Sequence, residues 1–217
     1  MLFSVVFLGF LATGALAGSK YEANSYIDTV LRNYLPNNVR NLKLDPASLP
    51  EFQVKLAGKN LLKTFKAKLK HGQLNGLSHV VKRRGDCSAT GWQGRNVTLG
   101  CWLALDGLRS HFDVSSKGDS FFDSKKKYAV DLVVNNTNFF VEVTQQKPRL
   151  PSVKTLTVAN ISFNLTASKT LDLNSQRWKQ LEASVKEVVQ GGVRDLLYGP
   201  FRKALELSVK TLQLPTP

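Results

Sequence analysis

The chain is short of the residues that bind metals, carry thiol chemistry or build a disulfide scaffold. Its 217 residues include 2 cysteines, 3 histidines and 1 methionine. His71, His79 and His111 fit no metal-ligand spacing such as H-E-x-x-H, and no Gly-x-Ser-x-Gly elbow or phosphate-binding glycine loop is present. Acids are scarce as well, with 16 Asp and Glu against 30 Lys and Arg and a net charge of +14. Past the amino terminus no stretch reaches the roughly 18 consecutive apolar residues of a membrane span. Together these absences exclude the common routes to metal, thiol and serine catalysis. A non-enzyme without a cofactor is the expectation.

The first seventeen residues read as a secretory leader. Leu2 to Leu11 are apolar, and Ala15-Leu16-Ala17 supplies small residues at the cleavage point, so the mature chain is expected to begin at Gly18. The remaining residues, 18–217, suit a single domain that buries about 70% of its unfolded surface and needs no metal. In an oxidising compartment Cys87 and Cys101 are expected to pair, closing a loop of about 15 residues. Four sequons, at Asn96, Asn135, Asn160 and Asn164, fit a secreted glycoprotein. Asn160 and Asn164 have the parity opposite to Ile161, Phe163 and Leu165, which turns any sugar away from the apolar face.

One apolar stripe dominates residues 175–212. Trp178, Leu181, Val185, Val188, Val189, Val193, Leu196, Leu197, Phe201, Ala204, Leu205, Val209 and Leu212 recur every three or four positions, the spacing of one helix face. Asn174 or Ser175 is placed to cap the start, and Gly199-Pro200 is expected to break or kink the helix. A shorter helix is predicted over Tyr21 to Leu35, stopped by Pro36. Between them period-two alternation prevails: Phe65, Ala67 and Leu69 against Lys66, Lys68 and Lys70, and Val97 to Leu105 similarly. Tyr128–Val134 and Phe139–Val143 read as a hairpin around an Asn-rich turn. A change of phase near Ala159-Asn160 reads as a bulge. The fold class is therefore α+β, with one strongly curved antiparallel sheet rolled around a long C-terminal helix and an N-terminal helix beside it.

Three features carry a family likeness: Gly76-Leu77 with Val80 to Lys82 and Arg84-Gly85-Asp86; Asp195 to Glu206; and the helix, strands, helix order over residues 21–212. In these the chain resembles the group-seven mite allergens, of the tubular lipid-binding superfamily that includes bactericidal/permeability-increasing protein and juvenile-hormone-binding proteins. The resemblance implies a sheet around a long helix with an apolar cavity for a lipid-like molecule, and no catalysis.

Two functional readings follow. In the first, Trp178, Leu181, Val185, Val189, Leu196 and Phe201, which first of all form core, also line a groove for a lipid or other hydrophobic small molecule. Gly191-Gly192 would admit either a close strand or the ligand. A drug-sized occupant needs about 300 Å³. In the second, a basic surface binds a sulfated glycan, an acidic membrane or an acidic protein. No acid occurs between Glu51 and Asp86, whereas Lys55, Lys59, Lys63, Lys66, Lys68, Lys70, Lys82, Arg83 and Arg84 all do. Lys125, Lys126 and Lys127 extend that set, with Phe121-Phe122 and Trp92 as candidate interfacial aromatics. Arg84-Gly85-Asp86 also spells the integrin-binding tripeptide, a minor form of the second reading. Nucleic acid is excluded as a partner for a secreted chain, and a monomer is expected.

Overall fold

The computed structural model describes residues 19–58, 64–118 and 125–217. The expected leader, Lys59, Lys63, Phe121 and Phe122 lie outside them. The N-terminal helix starts at Ser19, whose hydroxyl accepts from the Tyr21 N–H while Glu22 reaches back to the Ser19 N–H. That reciprocal pair satisfies two otherwise orphaned donors. The helix runs as α1 (Lys20–Thr29), a π-helical turn (Val30–Tyr34) and α2 (Leu35–Asn41). Eleven strands follow: β1 (Ala47–Leu49), β2 (Phe52–Leu56), β3 (Phe65–Asn75), β4 (Lys82–Arg83), β5 (Gly91–Gln93), β6 (Asn96–Ala104), β7 (Arg109–Lys117), β8 (Lys126–Asn135), β9 (Asn138–Gln145), β10 (Ser152–Val158) and β11 (Ser162–Ala167). The C-terminal helix is α3 (Ser175–Leu196), a second π-helical turn (Leu197–Phe201) and α4 (Arg202–Val209).

The strands form two antiparallel sheets where the alternation alone suggests one. Sheet A has the order β1-β3-β7-β8-β11, with β2 also on β3; sheet B has β10-β9-β6-β4, with β5 also on β6. The β8 and β9 segments are therefore not a hairpin: β8 pairs with β7 and β11, and β9 with β6 and β10. The chain crosses from A to B at Asn136-Thr137 and returns between Val158 and Ile161. The phase change near Asn160 is that return, since a strand that changes sheet must reset which parity faces the core. The bulge in β10 falls instead between Val153 and Thr155.

Neither proline stops its helix. Leu35 and Val39, beyond the first π turn, are buried, as are Ala204 and Leu205 beyond the second. Proline removes an N–H and its ring collides with the carbonyl four residues back. A wider π turn, just before Pro36 and around Pro200, absorbs that conflict, and apolar burial on the far side keeps the helix going.

The C-terminal helix serves both sheets with one stripe. α3 packs on β1, β2 and β11 of sheet A, and α4 on β10 of sheet B. At the second π turn Phe201 meets Phe139 edge to face, with centroids 6.0 Å apart. Side chains also close the free edge of β10. The Val153 N–H donates to Glu206 at 2.6 Å, Arg202 donates to the Val153 carbonyl at 3.1 Å, and the Val158 N–H donates to the Tyr198 hydroxyl at 3.0 Å. Covering an edge this way prevents strand addition. The N-terminal helix joins the assembly through the Tyr26 hydroxyl, which donates to the Val209 carbonyl at 3.0 Å. Burial, with Glu206 nearby, pushes Tyr26 far above the ordinary tyrosine range and keeps it a neutral donor.

Asp45 pins the turn after β3. Its carboxylate accepts from the Gly76 N–H and the Ser78 N–H at 2.8 Å and from the Ser78 hydroxyl at 2.5 Å. Burial by itself would raise its pKa, but these donors, with His79 adjacent, hold it below the usual carboxylate range. A depressed folded-state value stabilises the fold above the unfolded value of about 3.9, and that contribution fades as pH falls through the folded value. Asp45→Asn is expected to cost about 2 kcal/mol at pH 7. In urea unfolding the difference from wild type should be constant above about pH 5 and shrink below about pH 4.

Candidate functional site

Sheet A has two faces of opposite chemistry, and both follow from strand alternation. The inner face of β3, β7, β8 and β11 presents Ala67, Leu69, Val114, Tyr128, Val130, Leu165 and Ala167 to the first half of α3. Trp178, Leu181 and Val185 complete an apolar gap there, with Leu171 from the preceding loop. Leu165, Ala167 and Trp178 are half-buried at its rim. Its free volume is about 10 Å³, room for about one water and far below what a drug-sized ligand requires. The gap is thus a closed seam with apolar walls.

Three of the six residues expected to line a ligand groove meet at this seam. Val189 and Leu196 continue the buried stripe beyond it, and Phe201 is fully buried against Phe139. The strand-side lining residues were not singled out by the sequence, although their alternation marks them as inward-facing. Gly192 answers the question of what the glycine pair admits: a Cβ there would sit 3.4 Å from both Leu49 and Pro50, so it fits the β1–β2 corner. Val188 turns outward from the stripe and is 37% exposed.

The expected cationic set divides. Lys66, Lys68 and Lys70 lie together on the outer face of sheet A, and Lys125 and Lys127 join them. Lys126 has the opposite parity, paired with the buried Ser116. Lys82 and Arg83 are on β4 in sheet B, and Arg83 is committed to Asp28 through bonds of 3.1 and 2.9 Å. Lys117, whose flanking serine and glycine drew no attention in the sequence, stands opposite Lys66.

The Arg84-Gly85-Asp86 tripeptide is exposed, with Gly85 at φ 71°. Both charged ends are engaged. Arg84 donates to Asp106 at 3.3 Å and to Asn136 at 3.2 Å, and Asp86 accepts from Asn24 at 2.9 Å. Asn24 also accepts from the Cys87 N–H at 2.8 Å, so α1 clamps this turn. Of the sequon asparagines, Asn160 and Asn164 are exposed and Asn96 and Asn135 half-buried. Asn135 donates to Asn164 at 3.2 Å, and Asn160 accepts from Gln190 and Arg194. Trp92 is 58% exposed at the β5–β6 hairpin, and Trp102 packs against Phe140 with the rings tilted by 56° on the outer face of sheet B. Among the described residues no group of three His, Cys, Asp or Glu is arranged for a metal, and no helix is long and apolar enough to cross a membrane.

Cys87 and Cys101 form a disulfide, with Cα atoms 4.4 Å apart. It ties the turn clamped by α1 to the centre of β6. Closing this 14-residue separation is worth about 3 kcal/mol in the chain-entropy account. Cys87→Ser with Cys101→Ser should lower unfolding stability by that amount and leave the far-ultraviolet circular dichroism unchanged.

No family model matches the chain. It is 25% identical over 216 residues to "Salivary anticoagulant protein P23" of Ixodes scapularis, covering 98% of this chain and 97% of that one. Among solved structures it is similar to a lipopolysaccharide binding protein (TM-score 0.52, 14% identity), over 84% of this chain and 40% of that one. It also matches Takeout 1 of Epiphyas postvittana (TM-score 0.43, 15% identity), over 86% and 92%. The chain thus spans less than half the lipopolysaccharide binding protein it matches. Curved antiparallel sheets with an N-terminal helix and a long C-terminal helix are the fold it shares with that protein.

Proposed function

We propose that this is a secreted binding protein for an elongated apolar ligand, held between the first half of α3 and the inner face of sheet A. The observation that carries the reading is the seam itself: eleven side chains from four strands, a loop and a helix meet there with apolar surface on both walls. Because its free volume is about 10 Å³, the ligand enters by parting α3 from the sheet, and the half-buried Trp178, Leu165 and Ala167 form the edge that opens first. The fold shared with a lipopolysaccharide binding protein, and the resemblance of local motifs to those of group-seven mite allergens, support a lipid-like occupant. The salivary relative, whose length this chain covers almost entirely, supports release into a secretion, as does the leader-like amino terminus. On this reading sugar attaches at the exposed Asn160 and Asn164.

Trp178 offers a direct readout. Trp92→Phe with Trp102→Phe removes the two exposed indoles and leaves Trp178 as the reporter. Titration of the delipidated protein with 1-N-phenylnaphthylamine should shift Trp178 emission and raise dye fluorescence, and added fatty acid should reverse both. Ala167→Phe, which fills the rim, should weaken dye uptake at least about tenfold with little change in unfolding midpoint. Absence of dye and lipid uptake, or uptake indifferent to Ala167→Phe, would overturn the reading.

A further inference from the structure

The outer face of sheet A gathers like charges where antiparallel pairing favours opposite ones. Lys55, Lys66 and Lys117 stand directly opposite one another on β2, β3 and β7. The neighbouring row on the same face is Gln53, Lys68, Ser115 and Lys127. These lysines and Lys125 are exposed, and none has an acidic partner among the described residues. Like charges placed directly across a ladder destabilise it. Lysine on a sheet face also discourages edge pairing, but Lys66 on β3 is flanked by a strand on each side, so that use does not apply to it.

The lysines border a groove. About 240 Å³ is lined by Gln53, Lys66, Lys68, Ser115, Lys117 and Lys125. Sharing Lys68 and Ser115, a further 490 Å³ runs on past Lys70 and Lys127. This second part also includes one acid in its lining: Asp113 faces Lys70 and is held by His71 at 2.9 Å, and Glu51 accepts from the His71 N–H. With four strands about 4.8 Å apart and a rise of about 3.4 Å per residue, the cationic area measures roughly 14 by 14 Å. Its floor offers hydroxyl and amide groups from Ser115 and Gln53. Among the described residues the exposed large apolar side chains, Trp92 and Trp102 included, all lie elsewhere.

We propose that this groove binds a linear sulfated polysaccharide, with lysine ammonium groups on the sulfates and Ser115 and Gln53 on ring hydroxyls. Charge complementarity selects a polyanion. The groove shape and the interleaved hydrogen-bonding side chains favour a linear sugar chain over the flat surface of an acidic bilayer. The site is independent of the apolar seam, because alternation sends Ala67, Leu69 and Val114 inward from the same strands.

Lys66→Glu tests this without endangering the fold, since the new carboxylate would lie between Lys55 and Lys117 and turn two repulsions into two ion pairs. Its unfolding midpoint should equal or exceed that of wild type. The comparison is Lys203→Glu, the same charge change on the exposed side of α4. A size-defined heparin oligosaccharide is titrated into the protein at about 0.15 M salt, then at about 0.5 M, where screening is much stronger. Lys66→Glu should weaken binding at least about tenfold and Lys203→Glu less than about threefold. Added salt should weaken wild-type binding, and dye uptake in the seam should be unchanged in both variants. Equal losses in the two variants would reduce the effect to net charge and overturn the proposal. So would binding to phosphatidylserine vesicles that depends on Lys66 and that heparin cannot compete.

Discussion

One apolar stripe on one long helix has to satisfy two sheets, and the rest of the structure depends on how it does so. The first half of the stripe closes sheet A, and the last turns close sheet B together with the N-terminal helix. A helix of this length would be marginal in water by itself. Burial of Leu181, Val185, Val189, Val193, Phe201 and Val209 fixes it in place, at about 1.5–3 kcal/mol for each fully buried large side chain. The two halves are held differently. Around α4 the stripe is reinforced by polar locks from Tyr198, Arg202 and Glu206 to the edge of β10. Under α3 the surfaces facing Trp178, Leu181 and Val185 are apolar, while the buried Arg177 in the first turn lies 5.9 Å from the Phe65 ring centroid and donates to the Gly118 carbonyl at 3.5 Å. Apolar contact is non-directional, so the stretch from Trp178 to Val185 can shift against its sheet at lower polar cost than α4 against β10.

On the proposed reading, that difference gives the closed seam a functional meaning. A ligand that binds only an opened state is weakened by the fraction of molecules open at any moment. A seam that shuts on itself also keeps about 10 Å³ of free space and no exposed apolar trough when empty, which limits aggregation. The family resemblance implies a cavity; the structure holds the facing apolar surfaces together, with about 10 Å³ between them.

Much of the fold was legible in the sequence because its signals are local. The three-four spacing from Trp178 to Val209 marked the helix, and parity marked β3, β6, β8 and β9. What was not legible depends on partners distant in the chain. Asn135-Asn136-Thr137 between two strand-like runs has the local form of a hairpin, and only the pairing of β8 with β7 and of β9 with β6 shows it to be a passage between sheets. Pro36 and Pro200 carry valid stop signals that tertiary burial of Leu35, Val39, Ala204 and Leu205 overrides through π turns. For the sites, Trp178, Leu181 and Val185 were visible as a helix face, while Tyr128 and Leu165 gave no sign of facing them. The lysine triplet at 125–127 had to divide by parity, since strand neighbours point to opposite faces. Lys117 belonged to the same surface by register alone.

Hydrogen exchange on the delipidated protein, with and without a saturating long-chain fatty acid, tests the central claim most directly. Amides of Ser175–Val189 should open at markedly lower free energy than those of Arg202–Val209 in the free protein. Ligand should slow exchange in that first half of α3 and in β11, and leave α4 and β10 unchanged. Equal protection along the whole C-terminal helix, or ligand protection centred on sheet B, would contradict the account.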